Sequence, residues 1–175
     1  MGRSTASVSL VALAACQACS EPALPFGADA AALSAADRRQ VSAIFADWFA
    51  ATPDGRFIDA HCGDVQPRVR VVDLDRDGAP EVAVTYGNAC LSGSAGSNLS
   101  LFIRDESGVF HDQFGFPAAG FEIQDGGDER YPDLLITGPG FCFPRWSWHV
   151  DAYEFVCSEP QAVEGCAQRG PVCPD

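Results

Sequence analysis

Asp73-Leu74-Asp75-Arg76-Asp77-Gly78-Ala79-Pro80-Glu81 places four acids at odd positions of a nine-residue stretch and runs directly into the apolar triplet Val82-Ala83-Val84. Carboxylates at alternating positions of a tight bend converge on one point, and Gly78 supplies the backbone freedom for such a bend. Two like charges about 4 Å apart repel by roughly 4 kcal/mol at an effective dielectric of about 20, so Asp73, Asp75, Asp77 and Glu81 call for a counter-ion. Val69-Arg70-Val71-Val72 precedes the loop. Short apolar runs on both sides read as strands, so this stretch decides for a β architecture.

The helix-flanked calcium loop of EF-hands requires a bidentate acid at position 12, where this chain has Val84. The acid at position 9 followed by a strand instead resembles the calcium loops of FG-GAP and VCBS-type repeats, whose Asp-rich turns join β-strands in secreted and cell-surface proteins. The resemblance covers about a dozen residues. It implies a structural Ca2+ held by the side chains of Asp73, Asp75, Asp77 and Glu81 and by the backbone carbonyl of Ala79.

A second copy lies 52 residues downstream. Glu81 to Cys90 aligns without a gap on Asp133 to Cys142, Pro80 falls on Pro132 and Asp73 on Asp125. Proline, acid, apolar triplet, threonine and cysteine coinciding at one offset mark an internal repeat and predict stacked supersecondary units. The second loop keeps acids at Asp125, Glu129 and Asp133, but has Gly127 at position 3 and Arg130 where the turn glycine should stand. Two readings stay open for it: a second, depleted metal set, or a solvated acidic turn with Asp133 capping a strand.

Ser34 as N-cap with Asp37 three residues on, followed by Val41, Ile44, Phe45, Trp48 and Phe49 on one stripe, predicts a helix over 34–51, ended by Pro53 and Asp54-Gly55. Short strands with turn signals occupy the remainder. The expected fold is mainly β with one N-terminal helix (α+β): antiparallel strands in two blade-like repeats, 66–115 and 118–157, followed by a Cys-rich tail over 158–175. Two blades cannot close a propeller, so two small sheets or one meander should pack against the helix.

Arg3, an apolar stretch from Val8 to Ala15 and then Leu13-Ala14-Ala15-Cys16 form a targeting segment too short to span a bilayer. It resembles a bacterial lipoprotein signal. That likeness implies a signal peptide over 1–15, lipidation of Cys16, and, with Gln17 following, an outer-membrane anchor facing the periplasm or the exterior. An ordinary secretory signal cut near Ala12-Leu13-Ala14 is the other reading, and either way the chain is exported. Residues 16–32, rich in Ala and Pro without a period, read as a flexible tether ahead of a single domain over 33–175.

The formal net charge is −13 and every basic residue is an arginine, with no basic cluster. Nucleic acid is excluded as a partner, because that affinity rests on neutralising phosphates. Of eight cysteines, Cys62, Cys90, Cys142, Cys157, Cys166 and Cys173 form an even set that predicts three disulfides, with local closure pointing to Cys166–Cys173. Cys19 is left over.

Phe143-Pro144-Arg145-Trp146-Ser147-Trp148 concentrates aromatics beside an arginine. Trp146 and Trp148, two apart on a strand, share a face. They either fill the core or stand, with Phe143 and Arg145, as a binding surface for a glycan or peptide. His61, His111 and His149 lack metal-ligand spacing and no serine sits in a nucleophile elbow. The sequence therefore predicts a membrane-anchored calcium-binding domain that serves as a binding or structural module of the cell envelope and is not an enzyme. An inhibitor of a basic envelope hydrolase such as lysozyme and an envelope hydrolase using His111 or His149 are the alternatives.

Overall fold

Helix α1, Ala35–Trp48, begins at a reciprocal cap: Ser34 Oγ accepts the Asp37 N–H and the Asp37 carboxylate accepts the Ser34 N–H, each at 3.1 Å. Two otherwise unpaired donors are satisfied there. The structure is a computed structural model and describes residues 23–124, 130–140, 142–160, 166 and 170–174. α1 ends three residues before the expected boundary. Ala50–Ala51 (β1) is drawn into a hairpin with Phe57–Asp59 (β2), turning through Pro53, Asp54 and Gly55, and Gly63–Asp64 (β3) completes a small sheet. Phe49 becomes the extended cap residue yet keeps its ring 5.1 Å from Phe45.

Among the described residues, the remaining strands form two four-stranded antiparallel meanders. The first contains β4 (Arg68–Val72), β5 (Glu81–Tyr86), β6 (Asn98–Arg104) and β7 (Phe110–Pro117). The second contains β8 (Gly120–Ile123), β9 (Leu134–Thr137), β10 (Cys142–His149) and β11 (Ala152–Pro160). The repeat is visible in the register. Arg68 pairs with Thr85 and Val69 with Val84 in the first sheet; Gly120 pairs with Thr137 and Phe121 with Ile136 in the second. Every partner in the second hairpin is its counterpart in the first moved along by 52 residues.

Alternation along the strands builds a three-layer order of helix, sheet and sheet. Val82, Val84 and Phe102 pack towards α1 with Val41, Phe45 and Phe57. Leu99, Leu101, Ile103 and Phe114 face the second sheet, where Phe121, Leu134, Ile136, Trp148 and Tyr153 meet them. Phe45 is fully buried and takes the rings of Phe57 and Tyr86 edge-on at 4.8 and 5.1 Å.

Two expectations are corrected. The span 23–32 is not a free tether: Leu24 and Phe26 are buried on the helix side, the Leu24 N–H donates to Ser42 Oγ at 3.0 Å, and Gly27–Ala32 winds into a 3-10 turn. Large apolar side chains in an Ala-rich segment found core to enter. Secondly, Cys166 and Cys173 do not bridge each other; the disulfides are Cys62–Cys90, Cys142–Cys166 and Cys157–Cys173. The tail returns alongside β11, with the Ser158 N–H on the Pro171 carbonyl at 2.8 Å and the Cys173 N–H on the Ser158 carbonyl at 3.1 Å. That return carries Cys173 to Cys157. The signal segment, Cys16 and Cys19 lie outside the described residues.

Candidate metal site

Residues 73–80 connect β4 to β5, and both Arg76 (φ 59°) and Gly78 (φ 86°) take the left-handed conformation. The loop's own N–H groups fix the carboxylates. Gly78 donates to Asp73 Oδ2 at 3.1 Å, Asp77 to Asp75 Oδ1 at 3.2 Å, Ala79 to Asp77 Oδ1 at 2.7 Å and Leu74 to Glu81 Oε2 at 2.7 Å. As a result one carboxylate oxygen from each of Asp73, Asp75 and Glu81 lies within 4.8 Å of the others. Glu81 opens β5 on the floor of the site and is only 2% exposed.

Burial, reinforced by the charges of Asp75 and Asp77, pushes the Glu81 carboxyl up to about 7 against the opposing pull of the Leu74 N–H. A carboxylate in such surroundings is stabilised by a positive charge nearby. One is supplied by the other repeat. Arg130 Nε donates to Asp75 Oδ2 at 2.7 Å and Arg130 Nη2 to Asp77 Oδ2 at 3.1 Å. The Ala79 N–H and then the Arg130 charge hold Asp77 below the ordinary carboxylate range. Arg130 occupies the position equivalent to Gly78 in the first repeat. Its guanidinium also lies 5.1 Å over the Tyr131 ring, and the Tyr131 hydroxyl reaches Glu81 Oε1 at 3.5 Å.

Three of the five expected ligands are therefore gathered. Asp77 stands outside that group, its two oxygens committed to Ala79 and Arg130, and Ala79 enters through its N–H. In the second loop, Asp125 and Glu129 lie outside the described residues. Asp133 lies 3.9 Å from Arg145 Nη1. Sequence reasoning missed Arg130 and Tyr131 as members of the first site. The signal available was the arginine at a position that a tight acidic turn reserves for glycine.

The two tryptophans of the aromatic stretch pack on the inter-sheet core. Trp148 is 7% exposed and Trp146 stacks on Phe116 with ring centroids 5.2 Å apart, so the two tryptophans are not a surface platform. Trp146 Nε1 is buried without a partner among the described residues. Phe143 is half-buried and Arg145 is tied to Glu159.

His111 Nε2 meets Asp105 Oδ2 at 2.9 Å, and Ser107 Oγ donates to Asp105 Oδ1 at 2.6 Å. In a nucleophilic triad the histidine stands between serine and acid. Here both partners address the acid. Those bonds and the Val109 N–H hold Asp105 well below the usual carboxylate range, so the cluster clamps the β6–β7 turn. His61 and His149 are exposed elsewhere. Among the described residues no helix is long and apolar enough to cross a membrane. The chain matches no protein-family model, no curated protein and no solved structure.

Proposed function

We propose that this chain is an exported, lipid-anchored domain of the cell envelope, stabilised by one calcium ion and acting as a binding and structural module. The observation that carries the reading is the convergence of Asp73, Asp75 and Glu81, whose oxygens come within 4.8 Å of one another in a loop that N–H groups hold in shape. An all-oxygen donor set on an irregular loop suits a hard cation tolerant of variable geometry, which favours Ca2+ over Mg2+ and the thiolate-seeking metals. The ion would supply the positive charge that the loop otherwise draws from Arg130. Three disulfides fit an oxidising compartment and agree with an exported chain. Cys16 is the lipidated residue in this reading.

Calorimetric titration of chelator-treated protein with Ca2+ tests it. A dissociation constant on the order of 0.1 to 1 mM is expected, as for other extracellular modules. Asp73→Ala and Asp75→Ala should each remove the heat of binding. Wild-type protein that gives no calcium-dependent heat and no calcium-dependent rise in melting temperature would overturn the metal assignment.

A further inference from the structure

The seam between the two meanders is not filled everywhere. Beside the edge strands β4 and β8, Ala83, Ala119 and Gly120 carry small side chains or none, and a cleft of about 380 Å³ opens there with Leu99 and Phe121 among its walls. Arg68 and Arg70 lie on its rim. They are two apart on β4 and so project from the same face of the sheet. Both are exposed, and the Arg70 guanidinium sits 4.8 Å over the Phe121 ring.

The chain has 24 acids against 11 basic residues, and Arg56, Arg104, Arg130 and Arg145 are each paired with a carboxylate. Among the described residues, no carboxylate lies within ion-pair distance of Arg68 or Arg70. Two arginines on one face of β4 that no carboxylate ion-pairs are suited to a carboxylate, which they can grip with charge-assisted hydrogen bonds. Thr85 stands opposite Arg68 in the register and brings a hydroxyl to the same row, while Leu99 and Phe121 offer an apolar wall. Glu122 also lines the cleft and disfavours a polyanion.

We propose that this inter-sheet cleft binds a small organic carboxylate, its anionic head taken by Arg68 and Arg70 and its carbon skeleton laid along Leu99 and Phe121. The site is separate from the acidic loop and stands whether or not that loop holds a metal.

The test is calorimetry and NMR titration of the full chain with N-acetyl-L-phenylalaninate and with its neutral amide. The acid should bind at least about tenfold more tightly than the amide, the difference a charge-assisted hydrogen bond supports. Raising the salt concentration should weaken it. Arg68→Gln and Arg70→Gln, singly and together, should lose about tenfold or more while the protein stays folded, the melting temperature being unchanged in Arg68→Gln, whose side chain is exposed. Equal affinity for acid and amide, unaltered binding in the double variant, or absence of binding at millimolar concentrations of the acid would each overturn the proposal.

Discussion

Asp75 and Arg130, 55 residues apart and in opposite repeats, are joined by a 2.7 Å contact between carboxylate Oδ2 and guanidinium Nε. The Asp75 side chain is 2% exposed and that of Arg130 is 53% exposed, so a buried acid is answered from the surface. A cation entering among Asp73, Asp75 and Glu81 competes with that guanidinium for the same carboxylate. Arg130→Ala should therefore tighten calcium binding while lowering the melting temperature of the metal-free protein. Since pairs exposed on one side contribute up to about 1 kcal/mol, the gain in affinity should be up to about fivefold by calorimetry. Weaker binding in the variant would show instead that Arg130 helps to hold the ion.

Mass spectrometry of a non-reduced digest should recover Cys62–Cys90, Cys142–Cys166 and Cys157–Cys173 as linked peptides. The last pair closes a span of 16 residues. Replacing both of its cysteines by serine should cost about 3 kcal/mol in denaturant unfolding on the loop-entropy estimate. A Cys166–Cys173 peptide would contradict the return of the tail along β11.

Phe45→Ala removes the ring around which Phe49, Phe57 and Tyr86 assemble on the helix side of the first sheet. A buried aromatic reduced to alanine costs about 3 to 5 kcal/mol, measured as a fall in unfolding free energy by urea titration. A loss under about 1 kcal/mol would mean that α1 is not seated as described.

The Asp105 carboxyl is held below its ordinary value of 3.8 by Ser107, Val109 and His111. A depressed folded-state value means that the carboxylate stabilises the β6–β7 turn at neutral pH and that this contribution is lost as acid protonates it. Asp105→Ala should lower the melting temperature at pH 7, and the gap from wild type should narrow as the pH falls below about 3.8. A gap that stays constant down to pH 2 would remove the carboxylate from the account.

The two sheets were legible because strand periodicity and the 52-residue offset are local signals, and the shared register of Arg68–Thr85 and Gly120–Thr137 is what that offset requires. The cap of α1 was legible for the same reason: Ser34 and Asp37 act within one turn. What remained hidden depends on which segments meet in space. Arg130 reads as a defect in its own loop and becomes a partner only once the second meander lies against the first. Cys142 and Cys166 are 24 residues apart, and local closure favoured the nearer Cys173 because it takes no account of the strand along which the tail returns. Leu24 and Phe26 looked like parts of a spacer, since two isolated apolar residues have no period to betray a buried face.

In the proposed lipid-anchored reading, the docking of Leu24 and Phe26 would shorten the leash. With an anchor at Cys16, eight residues reach to Leu24, at most about 28 Å when fully stretched. A domain of this size is wider than that, with a radius of gyration near 15 Å and so roughly 38 Å across. With that anchor the protein would be moored against the bilayer with the side of α1 that carries Ser42, where Leu24 docks, nearest to it. Whatever it engages must then lie within about one molecular diameter of the lipid surface or come to it from above.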